Sequence, residues 1–354
     1  MNTRTITRAM IESAVSSGIR SMEENPKRSI RRLADLGKQF SRSRFQDDFF
    51  TIMQDLLENE NNKYYDFVAN VLANCDHDTI KTIGMNFGYS SWTYGGRVIR
   101  RTELESGFAV PLTMMLRWSP ELCAGNAPGA LTVPDIDRLV KEGMELGIYS
   151  YFIREDGKAS DSYELLDLFG RYPECCFVLI RPSGRVTAAQ IQLLKLCRNA
   201  LFFFPVDDEE TYLTVPLLRN QKILFGLYSL RGGSRYEEPI PEDALRRLIS
   251  VDAPFYLRIA DDDVTEEQIA ASMDYCYRLR LHPEYPCVII EYYGDGETLS
   301  GRVGGHRELL EIGPDRKVIR PLSSAGMEFP MDRPLAEALR EVMPKIDTTE
   351  IREY

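Results

Sequence analysis

The chain is short of the residues that build metal and acid–base centres. Its 354 residues include only three histidines, His77, His282 and His306, set in three distant regions. None has the spacing of a metal-ligand motif, so no metal site is expected, and conventional catalytic sets are hard to assemble. A basic surplus is also missing. The net charge of -11 and pI near 5.0 exclude nucleic acid and anionic membrane surfaces as main partners, because both require a positive footprint. No apolar run approaches the roughly 18 residues that cross a bilayer, and the polar start MNTRTITRAM has no signal-peptide core. A cytoplasmic protein is the expectation. The seven cysteines do not form an even set. Cys75, Cys176, Cys197, Cys276 and Cys287 fall on predicted buried faces, as free thiols of a reducing compartment do. Cys175 and Cys176 open a predicted strand, where side chains alternate, so their sulfurs point apart rather than forming a redox pair.

What is present suits a mixed fold. With 44% hydrophobic and 27% charged residues, the chain can build one large α/β domain with an accessory segment, or two modest domains. Residues 1–105 read as helices with short polar breaks. Asn25-Pro26 starts one helix with Ile30, Leu33, Leu36 and Phe40 on one face, and others cover Phe45 to Glu58 and Tyr64 to Ala73. Taken alone, this region reads as a helical cap or a dimerisation segment.

From Val110 the pattern becomes strand, loop and capped helix. Short apolar strands are predicted at Leu112 to Leu116, Ile148 to Ile153, Cys176 to Arg181, Leu201 to Val206, Ile223 to Leu230 and Phe255 to Ile259, as in parallel sheets buried on both faces. Thr187-x-x-Gln190 and Thr265-x-x-Gln268 are capping boxes, and Asp161-x-x-Glu164 is similar. Alternation of this kind implies right-handed βαβ units. The predicted class is therefore α/β, a partial (β/α)6 TIM-type barrel over residues 106–285, with a doubly wound open sheet as the alternative. Residues 286–354 read as a small α+β extension, with a strand at Cys287 to Tyr292. A hairpin follows, made of Arg307 to Ile312, the turn Gly313-Pro314-Asp315-Arg316, and Lys317 to Arg320.

Between the first strand and the helix starting near Thr132 lies the loop Arg117-Trp118-Ser119-Pro120-Glu121-Leu122-Cys123-Ala124-Gly125-Asn126. With this loop, the lead-in Asn86-Phe87-Gly88, the phrase Lys141-Glu142-Gly143-Met144-Glu145-Leu146-Gly147-Ile148 and the order of elements, roughly residues 25 to 345 resemble radical S-adenosylmethionine (SAM) proteins with a SPASM-type C-terminal extension. In that family the loop carries Cys-x3-Cys-x2-Cys, three thiolates that hold a [4Fe-4S] cluster and leave one iron for SAM. The matching positions here are Ser119, Cys123 and Asn126. One thiolate cannot replace three. The family's Gly-Gly-Glu-Pro, which approaches the amino group of SAM, corresponds to Glu155-Asp156-Gly157-Lys158, where carboxylates stand in place of two glycines. The positions matching auxiliary-cluster cysteines lie near Gly301 and Leu322, and no cysteine follows Cys287. The resemblance thus implies a degenerate member that holds no cofactor, neither [4Fe-4S] nor SAM.

A second feature is independent of the resemblance. Arg117, Arg154, Arg181, Arg231 and Arg258 lie at or near the C-terminal ends of five predicted strands, the end at which parallel α/β folds bind ligands. Guanidinium groups there would hold a carboxylate, phosphate or nucleotide, unless they pair with Glu155, Asp156, Asp207 or Asp208 or point to solvent. Three weaker features accompany them. His306 is expected in an exposed loop, Gly232-Gly233-Ser234 as a turn that could cradle phosphate, and Asp261-Asp262-Asp263 as ordinary helix N-terminal charge. The leading expectation is a pseudoenzyme, a binding or accessory protein with a protein partner or an active paralogue, and an anionic small molecule at the barrel mouth. The alternative is an enzyme of radical SAM/SPASM or other type acting on a peptide or small anion, with Cys123, Glu155 or Asp207 reacting. A third reading joins Cys123 with remote cysteines in an unusual cluster or metal site.

Overall fold

The computed structural model describes residues 3–22, 25–41, 43–158 and 164–345. Helices α1 (Thr3–Met22), α2 (Pro26–Phe40), α3 (Arg44–Glu58), α4 (Lys63–Asn74) and α5 (His77–Met85) are followed by a π-helical stretch, Asn86–Gly95, and α6 (Gly96–Ser106). The alternating part runs β1 (Thr113–Trp118), α7 (Pro120–Ala124), α8 (Val133–Leu146), β2 (Ser150–Glu155), α9 (Glu164–Arg171), β3 (Cys176–Ile180), α10 (Ala188–Leu196), β4 (Ala200–Pro205), α11 (Glu209–Asn220) and β5 (Phe225–Arg231). It continues as α12 (Glu242–Ser250), β6 (Phe255–Ala260), α13 (Glu266–Leu281), β7 (Val288–Glu291), α14 (Tyr292–Val303), β8 (Leu310–Ile312), β9 (Val318–Arg320) and α15 (Leu335–Val342).

The capping boxes at Thr187 and Thr265 form as predicted, and Thr132 makes a third with Asp135; Asp161 lies outside the described residues. The strands order as β7-β6-β5-β4-β3-β2-β1-β8-β9 in one sheet. All neighbours pair in parallel except the β8–β9 hairpin. The fold is a partial TIM-type barrel. Strands of the C-terminal extension complete this sheet: β7 covers the edge of β6 and β8 covers the edge of β1, each satisfying a row of backbone groups that would otherwise be open.

The sheet curls around α14. This helix follows β7 at one edge, yet Tyr292 packs edge-on against Phe152 of β2 (ring centroids 5.6 Å apart), and a Cβ on Gly296 would sit 3.3 Å from Met115 of β1. The two faces carry separate cores. Met114, Leu116, Tyr151, Phe177, Phe202 and Leu227 pack on the convex side under the surrounding helices. Met115, Val178, Leu201, Phe203, Tyr228 and Leu257 line the concave side with Tyr292 and Tyr293. Cys175 and Cys176 fall in different cores, as strand alternation requires.

The N-terminal helices cover the barrel. Cys75 and Ile83 belong to the concave core, with Val71, Ile80 and Phe87 against it. Asn86 stitches this cap to β3, donating from Nδ2 to the carbonyls of Pro173 (2.9 Å) and Cys175 (2.8 Å). Gly95 lets the π-helical stretch touch the turn before β2: an added Cβ would lie 2.3 Å from the Gly147 carbonyl oxygen. Gly147 itself ends α8 at φ +100°, where side chains are strained.

Candidate functional site

The loop after β1 is a small folded unit. Ser119 caps α7, accepting from the Leu122 amide at 3.4 Å. Cys123 is half-buried, and its Sγ donates to the Leu131 carbonyl at 3.4 Å. Burial raises its thiol pKa despite an opposing hydrogen bond at Trp118, which keeps it a poor thiolate. Asn126 turns the chain at φ +47°. A three-thiolate cluster does not fit Ser119, Cys123 and Asn126: two positions offer only an oxygen or an amide, and one of those oxygens already caps a helix. The other cysteines are buried, and burial pushes the thiols of Cys75, Cys197, Cys276 and Cys287 up to about 12. Among the described residues no group of three or more His, Cys, Asp or Glu side chains is placed to hold a metal ion.

The segment after β2 splits across the sheet. Glu155 is buried and faces Arg181 (Oε2 to Nε 3.4 Å), whereas Asp156 accepts from Arg154 Nε at 2.9 Å. Gly157 lies at φ +87° beside Glu121, and Lys158 is exposed.

The five arginines divide by strand parity. Arg117 and Arg154 are register partners on adjacent strands and share the concave face with Met115 and Phe152. Arg181 and Arg258 follow the parity of convex-core residues Leu179 and Tyr256, and Arg231 that of Leu227. No single ring of guanidinium groups forms. Arg258 is fully buried, donates through Nη2 to the carbonyls of Tyr236 and Glu238, and lies between the rings of Tyr236 and Tyr275, 5.3 and 5.4 Å from their centroids.

On the concave side the mouth is a charged network. Arg117 Nε donates to Glu311 Oε1 at 3.0 Å, and its two terminal nitrogens grip the Asp262 carboxylate, Nη1 to Oδ2 at 3.1 Å. Burial opposes the Arg117 charge, but the Asp262 hydrogen bonds and the field of Glu311 hold its pKa above the ordinary value. Tyr293 donates to the same Glu311 oxygen at 3.3 Å, and Arg320 of β9 stacks 4.2 Å over the Tyr293 ring while pairing with Glu266 at 2.8 Å. The hydrogen bonds from Arg117 keep the Asp262 carboxyl below the usual range, helped by the fields of Arg154 and Arg320. The Arg154 Nη1 and Glu311 Oε2 atoms are buried without a hydrogen-bond partner.

Glu311, Tyr293 and Arg320 lie far along the chain from Arg117, and only Glu311 carries a signal in the sequence: an acid inside the apolar run Leu309-Leu310-Glu311-Ile312. Two expectations are corrected. Asp262 is turned onto Arg117 instead of merely charging a helix start, because the curled sheet brings the β6 and β1 strand ends together. His306 is half-buried rather than exposed, its Nε2 3.0 Å from the Val110 carbonyl and 3.1 Å from Glu103, because the segment after α14 folds back onto the segment before β1. Asp207 is exposed and takes no part in the network. Gly233 donates its amide to Asp263 Oδ1 at 3.0 Å. A cleft of about 310 Å³, lined in part by Asp76, Lys195, Arg198 and Lys222, opens at the opposite end, beside the starts of β4 and β5.

No family model matches the chain, and no curated protein matches it. Solved structures do. SuiB of Streptococcus suis bound to S-adenosylmethionine aligns with TM-score 0.48 at 9% identity, over 69% of this chain and 67% of that one. SuiB bound to the precursor peptide SuiA aligns with TM-score 0.49 at 8% identity, over 69% and 68%. Native anSMEcpe with bound AdoMet and the Cp18Cys peptide aligns with TM-score 0.42 at 10% identity, over 65% and 82%. One expectation is corrected here: the resemblance led to a chain with no cofactor, whereas these similar structures hold S-adenosylmethionine.

Proposed function

We propose that this chain is a binding or accessory protein on a radical-SAM-like partial barrel, which holds a carboxylate-bearing ligand at the concave mouth through Arg117, with Arg154 and Arg320 beside it. The observation that carries this reading is Asp262: a largely exposed carboxylate (66%) gripped by both terminal nitrogens of a buried guanidinium. The mouth is thus built to accept an anion, and a forked guanidinium is suited to a carboxylate. S-adenosylmethionine, which ends in a carboxylate and is bound in the similar structures, is the first ligand to test. Radical chemistry on a cluster at Ser119, Cys123 and Asn126 does not fit the donor set there. A role beside a catalytic partner in peptide modification follows from the resemblance.

The test is calorimetry with S-adenosylmethionine and simple dicarboxylates on the anaerobically purified and reconstituted full chain, with iron analysis alongside. Saturable binding that weakens as salt rises and is lost in an Arg117→Met/Glu311→Gln variant supports the reading. Reductive cleavage of S-adenosylmethionine by iron lost on Cys123→Ala substitution would overturn it and make the chain an enzyme.

A further inference from the structure

We propose that Asp261-Asp262-Asp263 is an internal stand-in for an acidic peptide, and that the surface it covers, from the Arg117 guanidinium to the Gly233 amide, docks a peptide segment with two successive carboxylates. The inference rests on the mouth being a binding surface and names its ligand class. Two neighbouring carboxylates of one loop fill two separate anion-accepting points. Asp262 takes the terminal nitrogens of Arg117, while Asp263 Oδ1 accepts the Gly233 amide at 3.0 Å. The second point is shaped for close approach: a Cβ on Gly232 would lie 2.6 Å from that Asp263 oxygen, and Gly233 stands at φ +56°.

The receptor is buried and the occupant is not. The Arg117 side chain is 7% exposed and fixed from behind by Glu311, whereas the Asp262 side chain is 66% exposed. Such an occupant can leave without opening the core, and Arg117 would then need another carboxylate. Arg154 Nη1, next to Arg117 in strand register, is buried with no hydrogen-bond partner and offers a further donor. The loop is held at its ends independently of the two acids: the Asp261 amide donates to the Arg231 carbonyl at 2.9 Å, and Thr265 caps α13. The covering pattern specifies the ligand. Inorganic phosphate answers one point only; successive acidic residues on a peptide backbone reproduce both.

The test is fluorescence anisotropy of a labelled Gly-Ser-Asp-Asp-Ser-Gly peptide on the full chain, comparing wild type with Asp262→Asn/Asp263→Asn, with the Asn-Asn peptide and inorganic phosphate as competitors. Removing the internal occupant should tighten binding by about tenfold, the factor by which a site closed nine-tenths of the time weakens apparent affinity. The Asn-Asn peptide should not compete. Peptide binding by wild type that is unchanged or weaker in the Asn variant overturns the stand-in while leaving the mouth as a binding surface. Phosphate competing as well as the unlabelled acidic peptide overturns the peptide assignment. Absence of anion binding in both proteins overturns the mouth reading as well. A thermal melt of the variant confirms that a lost signal does not come from unfolding.

Discussion

Arg117 and Arg258 sit in β1 and β6, each one strand in from opposite ends of the parallel run, and both are buried, 6% and 2% exposed. Their surroundings differ in kind. Arg258, on the convex side, is enclosed by the fold: its Nη2 donates to two backbone carbonyls and two tyrosine rings cover its faces, while its Nη1 is buried without a partner. Arg117, on the concave side, spends one edge on the buried Glu311 and offers the other to an exposed carboxylate. An arginine at a strand end is thus a ligand group or a structural clamp according to the face it points to, and that face reverses with each residue along a strand.

Stability measurements can break this comparison. Arg117→Met should cost most, about 3 kcal/mol by denaturant unfolding, because it strands the buried Glu311 charge. Adding Glu311→Gln should recover much of that loss; no recovery would mean that the pair does not set the cost. Arg258→Ala should cost about 2–3 kcal/mol, from two carbonyls left without a donor and a cavity between two rings. It should leave anion binding at the mouth unchanged, and weakened binding would erase the distinction between the faces.

A smaller effect tests Glu291, the register partner of Arg258 on β7. Glu291 caps α14, accepting from the Gly294 amide and from the Tyr236 hydroxyl. Burial pushes its carboxyl up to about 7. The folded protein therefore holds this proton more tightly than the unfolded chain. Its contribution to stability is complete at low pH and is lost as pH rises from about 4.5 to 7. Replacing it by Gln should flatten the melting temperature over that window, and an unchanged slope would assign it to other groups. The smallest effect should be that of Asp262→Asn, under about 1 kcal/mol, since its carboxylate is largely solvated. A larger loss would make Asp262 part of the architecture and not a replaceable occupant.

Much of the fold was legible in local pattern. The apolar strand runs, the capping boxes at Thr187 and Thr265 and the opposed sulfurs of Cys175 and Cys176 all follow from contacts within a few residues. Less of the site was legible. The sequence places arginines near strand ends, but a one-residue uncertainty in each end moves a side chain to the other face, so five candidates read alike. Arg320 and Tyr293 escaped because nothing local sets them apart.

By itself, then, the sequence determined the α/β alternation, the helix starts and the presence of a single thiol among Ser119, Cys123 and Asn126, since each depends on residue type and short spacing. The tertiary structure alone decided that α14 lies inside the curl, that β7 and β8 close the sheet's exposed edges, and that Asp262 meets Arg117. Those contacts join residues as far apart as 145 and 194 positions along the chain, as in Arg117 with Asp262 and with Glu311. Their physical cause is the curl of the sheet, which brings distant strand ends together and which no local pattern encodes.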